Sequence, residues 1–187
     1  MNPNNSFPPR RSTRLPEFDY SQPGAYFVTI VTQDRKSLFG QIVDGEMVLN
    51  ELGKALADVW VEMPEHFPNV ELGEFVVMPN HVHGIVIITV EATQASNVAA
   101  RHAVPSEESA IEEFGKPVSA SLPTIMRSFK SAATKKFREF TNDHEGRIWQ
   151  RNYYEHVIRN EKDNQAIYDY ILTNPINWEI DEENLRE

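Results

Sequence analysis

The chain is built around the segment Phe75-Val76-Val77-Met78-Pro79-Asn80-His81-Val82-His83-Gly84-Ile85-Val86-Ile87-Ile88, in which two apolar runs flank a His-x-His pair. Side chains alternate between the faces of a strand, so His81 and His83 should project from one face and Val82 from the other. The surrounding residues are β-branched and uncharged, which predicts a buried central strand that holds the imidazoles rigidly. The pattern is compatible with half of a metal site, or with one core histidine and one loop histidine.

The composition is that of one globular domain. Of the 187 residues, 40% are hydrophobic and 25% are charged, and no apolar run reaches the roughly 18 to 20 residues of a membrane span. The first residues contain no apolar signal segment, and the count of 0 cysteines excludes disulfides and thiol chemistry. We therefore expect a cytoplasmic protein that does not contact membranes, and a nucleoid-associated one if it is bacterial.

The net charge of -10 is unevenly distributed. A negative balance alone argues against nucleic-acid binding, which favours a basic surface. Residues 161–187 contain eight acids against Lys162 and Arg186, so this end carries -6 of the total. Basic residues cluster elsewhere, and the candidate nucleic-acid contacts among them are Arg10, Arg11, Arg14, Arg127, Lys130, Arg138 and Arg151.

The predicted domain organisation is a single domain with two extensions. Residues 1–16 are rich in proline and arginine and read as a basic disordered arm. Residues 17–178 form the domain, within which the small, polar segment 91–121 is predicted to be a mobile insert. Residues 179–187 form an acidic tail.

Periodicity predicts the element order β, hairpin, α, β, β, α, β, α. The strands are predicted at 25–32, 70–78, 81–90 and 153–158, with a tight hairpin turn at Asp44-Gly45. Asn50, Ser121 and Asn160 are predicted to cap the three helices. This order predicts an α+β fold, a ferredoxin-like sandwich whose antiparallel central sheet carries the His-x-His strand, with the helices packed on one face.

The helix predicted at 122–141 has an apolar and a polar side. The apolar side should bury Ile125, Phe129, Ala132, Ala133, Phe137 and Phe140. The polar side carries Arg127, Lys130, Ser131, Thr134 and Arg138. Cations interleaved with hydroxyls suit phosphate oxygens, so this side is a candidate for nucleic-acid backbone contacts, or it is only solvated.

The last helix places Tyr170 one turn before Asn174. The predicted buried side of this helix consists of Ile167, Tyr168, Ile171 and Leu172. If the helix packs beside the His81 strand, a phenol and an amide oxygen would both face the histidine pair. Two imidazoles and one amide oxygen leave open positions on a divalent ion, which suits Mg²⁺ or Mn²⁺ recruited with a phosphate substrate.

Each of these assignments has an alternative. Tyr170 could be a packed aromatic of an amphipathic helix, and the rival tyrosines, Tyr153, Tyr154 and Tyr168, lack a polar ligand-type residue one turn further on within a helix. His156 is the reserve candidate for the third ligand.

Three segments together resemble the HUH single-tyrosine transposases, and more closely the REP-associated tyrosine transposases. They are Val77-Met78-Pro79-Asn80-His81-Val82-His83-Gly84, Trp149-Gln150-Arg151-Asn152-Tyr153-Tyr154-Glu155-His156 and Tyr170-Ile171-Leu172-Thr173-Asn174-Pro175. The resemblance implies that His81 and His83 are metal ligands, that Tyr170 is the nucleophile, and that Asn174 is the third ligand where relatives often carry glutamine. It implies cleavage and rejoining of single-stranded DNA at hairpins through a 5′-phosphotyrosine.

Other functions stay open at this point. The chain could be a non-catalytic protein that binds or regulates hairpin DNA or RNA on the same fold, or a metal-dependent hydrolase of a small phosphate ester. Both a monomer and a homodimer are compatible with the sequence. The acidic tail runs against the charge expected of a DNA-binding protein.

Overall fold

The structure is a computed structural model that describes residues 18–90, 118 and 120–185. The predicted arm with Arg10, Arg11 and Arg14, and nearly all of the predicted insert, lie outside the described residues. The strands are β1 (Gly24–Val31), β2 (Gly40–Val43), β3 (Glu46–Leu49), β4 (Val70–Val77), β5 (His81–Ile88) and β6 (Tyr154–Ile158). The helices are α1 (Glu51–Val61), α2 (Met63–His66), α3 (Leu122–Thr141), α4 (Glu161–Thr173) and α5 (Glu182–Leu185), with short 3-10 turns at Gln33–Arg35 and Trp178–Ile180.

The main sheet has four strands in the order β4-β5-β1-β6, and every neighbouring pair is antiparallel. With α1 between β1 and β4, and α3 between β5 and β6, the connectivity is the β-α-β-β-α-β pattern of ferredoxin-like folds. The predicted α+β sandwich is therefore confirmed, and the His-x-His strand β5 lies inside the sheet. The predicted hairpin is β2–β3, whose turn residues Asp44 and Gly45 have φ values of 51° and 80°, as a tight hairpin requires.

Helices cover both faces of the sheet, so the prediction of helices on one face was wrong. Helices α1 and α3 pack on the face that carries Val28, Val82 and Val86. Helix α4 packs on the opposite face, where Ile171 contacts Phe27 and Ile85. The physical reason lies in β5, which is apolar on both sides and needs cover on both.

Gly84, directly after the histidine pair, allows α1 to approach the sheet closely. A Cβ atom built at Gly84 would lie 2.3 Å from Cζ2 of Trp60. Trp60 is fully buried, and its ring stacks on Phe75 at a centroid distance of 5.7 Å. The close packing of one tryptophan against this glycine fixes β5 from the face opposite the histidines.

The buried stripes of α3 and α4 are narrower than predicted. Helix α3 is buried along Leu122, Pro123, Ile125, Met126, Phe129 and Ala133, while Ala132 lies off this stripe and Phe140, in the last turn, is exposed. On α4 only Ile171 is buried, with Ile167 partly so, and Tyr168 and Leu172 are exposed. Helix α4 contacts the sheet along one line of residues, and Tyr168 and Leu172 each lie about 100° away from that line.

The predicted caps hold for two helices. Asn50 Oδ1 accepts from the Gly53 N–H at 2.9 Å, and Asn160 Oδ1 accepts from the Asp163 N–H at 2.9 Å. Ser121 occupies the cap position of α3, but its hydroxyl donates to the Val118 carbonyl oxygen at 2.9 Å and caps no helix N–H. Among the helices that the structure describes, none combines the length and apolar character that crossing a membrane would require.

Candidate active site

The two histidines lie side by side on the face of the sheet that α4 covers. In the register of β1 and β5, His81 lies opposite Val31 and His83 opposite Thr29. Their exposed fractions are 0% and 2%, and their ring centroids are 4.3 Å apart. The alternation of the strand thus brings the two imidazoles together in the interior, as the His-x-His spacing predicts.

Asn80 orients His81. Its amide nitrogen donates to the carbonyl oxygens of Arg35 at 3.2 Å and Glu183 at 3.0 Å, which directs its Oδ1 to His81 Nδ1 at 2.8 Å. Since an amide oxygen can only accept, Nδ1 of His81 carries the proton and Nε2 presents a lone pair. This Nε2 is buried and has no hydrogen-bond partner among the described residues.

His83 contacts a hydroxyl group at each ring nitrogen. Its Nδ1 lies 2.8 Å from Thr29 Oγ1, and its Nε2 lies 3.1 Å from the hydroxyl of Tyr170. The Tyr170 hydroxyl also lies 3.3 Å from Asp181 Oδ2. The aromatic ring of Tyr170 packs edge-on against Phe27, with 6.0 Å between centroids. Tyr170 therefore reaches from α4 to the histidine pair with its hydroxyl inward.

The structure brings Asn174 to the same place. Asn174 is buried at the end of α4, and its Nδ2 donates to Asp181 Oδ2 at 2.9 Å. Its Oδ1 is buried without a hydrogen-bond partner within the described part of the chain. The amide lies close enough to His81 to influence the pKa of that imidazole. Asn174 thus offers an unused oxygen beside an unused nitrogen.

Asp181 is the site residue that the sequence analysis missed. Ligand atoms of His81, His83 and Asp181 all lie within 4.8 Å of one another, and the three residues are buried. Asp181 Oδ1 accepts from the Glu183 N–H at 2.7 Å, which fixes the carboxylate. The 3-10 turn Trp178–Ile180 carries the chain back from α4 to this position. Asp181 is one of eight acids between residues 161 and 187 and lies after the predicted helix, where no spacing distinguished it.

Burial controls the charges of the site. It lowers the pKa of His81 to about 4, against the opposing field of Asp181, and it lowers the pKa of His83 well below the usual range, with His81 adding to the effect. Both imidazoles are therefore neutral at neutral pH, the form that binds metals. Burial also raises the pKa of Tyr170, and the carboxylates of Asp181, Glu183 and Glu182 raise it further.

The donor set fits a divalent cation. His81 Nε2 and Asn174 Oδ1 are buried lone-pair donors without partners, and the Asp181 carboxylate supplies negative charge beside them. Imidazole nitrogens combined with carboxylate and amide oxygens are ligands for divalent ions.

A cavity of about 870 Å³ opens onto this cluster, which we call the active-site cavity. Its lining includes His83, Tyr170, Asn174 and Asp181, and also Arg35, a cation that the sequence analysis did not single out. Nη2 of Arg35 pairs with Glu183 Oε2 at 2.6 Å. Asp34 and Arg35 both have φ values in the left-handed region, 55° and 50°, which costs conformational energy for non-glycine residues.

The remaining candidates are not members of the His81-His83-Asp181 group. His156 pairs with Asp163 at 2.9 Å and is not part of the His81-His83-Asp181 cluster. Tyr153 and Tyr154 also line the active-site cavity, whereas it is the Tyr170 hydroxyl that lies 3.1 Å from His83 Nε2. Tyr168 is exposed on α4.

The cations of α3 have different surroundings. Lys130 Nζ donates to the carbonyl oxygens of Gln150, Arg151 and Asn152 at 2.6, 3.4 and 3.4 Å, and burial lowers its pKa to about 8. Lys130 therefore holds the loop 150–152 in place, in addition to being a candidate nucleic-acid contact. Arg138 and Arg151 are exposed and line a second cavity, and Arg127 is exposed on α3.

Comparison with known proteins identifies the family. No protein-family model matches the chain. A Haemophilus influenzae protein of uncharacterized function is 40% identical over 173 residues, 92% of each chain. A second protein of that organism, named as a REP-associated tyrosine transposase, is 30% identical over 158 residues, 84% of this chain and 73% of its own length.

The comparisons place the chain among the single-tyrosine transposases of the HUH type. The chain belongs to the REP-associated tyrosine transposase family, as its relative of that name shows. Two solved structures are also similar. A REP-associated tyrosine transposase bound to a REP hairpin has a TM-score of 0.49 and 22% identity, covering 85% of this chain and 70% of the other. A Deinococcus radiodurans protein described as a transposase has a TM-score of 0.46 and 16% identity, covering 81% and 90%.

Proposed function

We propose that the protein is a metal-dependent endonuclease and strand transferase that acts on single-stranded DNA at short palindromic hairpins, with Tyr170 as nucleophile. One observation carries the proposal. The Tyr170 hydroxyl lies 3.1 Å from His83 Nε2 and 3.3 Å from Asp181 Oδ2, and all three residues line an open cavity. Family membership supports this reaction class.

The reaction uses the residues of the cavity as follows. The Tyr170 oxygen attacks a backbone phosphorus, a bond forms between them, and the bond from phosphorus to the 3′-oxygen breaks. The phenol proton passes to a neighbouring base, for which Asp181 Oδ2 is in reach, and the leaving 3′-oxygen takes up a proton. The products are a 5′-phosphotyrosine and a free 3′-OH. Attack by a 3′-OH on the phosphotyrosine reverses the reaction and rejoins the strand.

The ligands for the ion would be His81, His83 and Asp181, with Asn174 Oδ1 as a further donor. A bound Mg²⁺ or Mn²⁺ would polarise a phosphate oxygen and offset the carboxylate field that raises the pKa of Tyr170. His81 and His83 are already neutral at neutral pH, so neither has to lose a proton before it binds the ion.

One observation favours a second candidate function. The pKa of Tyr170 is raised, so the described residues alone make its phenol a poorer nucleophile than a free tyrosine. A protein that only binds and regulates hairpin DNA or RNA needs no nucleophile, so the raised pKa of Tyr170 would not impair its function.

Incubation with an end-labelled single-stranded hairpin and Mn²⁺ tests the proposal, with protein adducts resolved on a denaturing gel. A covalent adduct that requires Mn²⁺ supports the proposed function. Tight binding without an adduct supports the regulatory alternative. Neither binding nor an adduct, together with release of phosphate from small esters, would support a hydrolase instead.

A further inference from the structure

A second cavity lies outside the active site, between the C-terminal half of α3 and the segment 142–151 that follows it. Its volume is about 980 Å³. We call it the basic groove, and its defining residues are Lys130, Thr134, Lys135, Arg138, Arg147 and Arg151.

The basic groove carries positive charge although the net charge of the whole chain is negative. Five lysines and arginines line it against one acid, Glu139, while the chain has a net charge of -10. The ion pairs between described residues are Arg35–Glu183, Lys54–Glu51 and His156–Asp163, and none of them uses a cation of the groove. Lys135, Arg138, Arg147 and Arg151 are exposed. Arg138 also interacts with the carboxylate of Asp143, but the five cations still outnumber Glu139 and Asp143, so the groove offers net positive charge to an anionic ligand.

The groove meets the active-site cavity at Gln150, which lines both. This wall is held firmly, since Gln150 N–H donates to the Val31 carbonyl at 3.0 Å and Lys130 Nζ binds the Gln150 carbonyl at 2.6 Å. Trp149 beside it bridges to Thr32 in an isolated β-pairing. A strand that leaves the groove at Gln150 would therefore arrive at the cavity whose lining includes Tyr170.

The two ends of this path carry opposite charge. The active-site cavity is lined by Asp181, Glu182 and Glu183, with Arg35 as its cation. Three carboxylates against one cation make the metal-free cavity acidic, so a positive groove beside it would add to the attraction that a bound ion supplies for a phosphate backbone. A positive groove that follows a backbone is the usual means of binding single strands without reading their sequence.

We propose that the basic groove binds single-stranded DNA and guides it past Gln150 into the active site. This inference rests on the proposed function, because it supplies the strand that Tyr170 would attack. The strand that Tyr170 would attack is single-stranded, so the part of it that continues past Gln150 into the groove is single-stranded as well. Lys130 acts as a positioning residue that holds the wall.

The test compares two triple variants of equal charge. The groove variant is Lys135→Gln with Arg138→Gln and Arg147→Gln. The control variant is Lys54→Gln with Lys136→Gln and Lys162→Gln, which removes three exposed cations that do not line the groove. Lys135 and Lys136 are neighbours on one helix, so the control is closely matched. Thermal melting of both variants verifies that each is folded.

The probe is a fluorescent oligothymidylate without secondary structure, and its affinity is measured by anisotropy over a range of salt concentrations. Each lost phosphate contact lowers the slope of log affinity against log salt by about 0.7 for single strands, so the groove variant should lose about 2 from the slope. The control variant should keep the wild-type slope. Arg138→Lys with Arg147→Lys retains the charge and should also keep it. Equal slopes in groove and control variants would overturn the proposal.

A blunt hairpin without single-stranded extensions provides a second comparison. Its affinity should differ little between groove and control variants, and a loss as large as that for oligothymidylate would overturn the assignment to a single strand. The binding measurement needs no cleavage. Absence of an adduct in the wild-type protein, with the groove variant still losing the single strand, would refute the proposed function while supporting the groove.

Discussion

Asn174 Nδ2 donates a hydrogen bond to Asp181 Oδ2 at 2.9 Å, and this contact joins the last long helix to the acidic tail beside the histidine pair. The hydrogen bond leaves Asn174 Oδ1 unused and buried. It also holds the Asp181 carboxylate within reach of both histidines. The acidic tail, which runs against the charge of a DNA-binding protein, therefore contributes a carboxylate to the candidate metal site.

We expect Asp181→Asn to weaken metal binding more than Asn174→Ala does. Removing the carboxylate removes the only negative charge of the His81-His83-Asp181 group, and the Mn²⁺ midpoint should rise by about 10-fold or more. Asn174→Ala should raise the midpoint less, and added Mn²⁺ should restore binding by mass action. Isothermal titration of Mn²⁺ measures both. A wild-type midpoint in Asp181→Asn would remove Asp181 from the ligand set.

His81→Ala and His83→Ala should each abolish Mn²⁺-dependent cleavage and leave hairpin affinity largely unchanged. The reason is that both imidazoles are buried and supply almost none of the surface that would hold a hairpin. Gel-shift titration gives the affinity and a denaturing gel gives the cleavage. Thr29→Ser, which keeps a hydroxyl beside His83, is the control variant. Undiminished cleavage in both alanine variants would contradict the assignment of the histidines.

The stability of the metal-free protein should fall as the pH decreases from about 6.5 toward about 4. The folded pKa of His81 is lowered to about 4 from an ordinary value of 6.5, so in this window the unfolded chain binds a proton that the folded chain does not. The free energy of unfolding should lose up to about 1.4 kcal/mol per pH unit for one such proton. Above pH 7 His81 should contribute no pH dependence.

Urea unfolding in EDTA at several pH values, for the wild type and for His81→Gln, measures this effect. The difference between the two proteins isolates His81 from other groups that titrate. Parallel curves for the two proteins across the window would contradict the buried, neutral state of His81.

Gly84→Ala should destabilise the fold by roughly 1–3 kcal/mol, as overpacking of a core does. The added Cβ would lie 2.3 Å from Cζ2 and 2.8 Å from Cη2 of Trp60. Trp60→Phe removes those atoms. The free-energy cost of Gly84→Ala should therefore be smaller in the Trp60→Phe background than in the wild type. Urea midpoints of the four proteins form the double-mutant cycle. Additive effects of the two substitutions would show that Gly84→Ala does not destabilise the fold through the contact with Trp60.

The strands, the hairpin and the long helices could be predicted because each has a local cause. Alternation placed His81 and His83 on one face, and the i, i+4 spacing placed Tyr170 and Asn174 together on α4. Asp181 could not be predicted in this way. Its position depends on the turn after Pro175, on the hydrogen bond from Asn174 and on a local hydrogen bond from the Glu183 N–H, and none of these follows a sequence period.

The packing of α4 on the second face of the sheet could not be predicted for a similar reason. The apolar pattern of β5 shows that both faces are buried, but it does not say which helix covers which face. The roles of Arg35 and Lys130 also depend on partners distant in the chain, Glu183 and the carbonyl oxygens of residues 150–152.

The claim that Tyr170 attacks DNA is tested most directly by mapping the covalent bond. The wild-type protein is incubated with a single-stranded hairpin and Mn²⁺, then digested with protease and nuclease, and the peptide that carries the residual nucleotide is sequenced by mass spectrometry. We expect the nucleotide on Tyr170, with no adduct in Tyr170→Phe and a normal adduct in Tyr168→Phe. A nucleotide on Tyr153, Tyr154 or Tyr168, or an adduct that persists in Tyr170→Phe, would contradict the account.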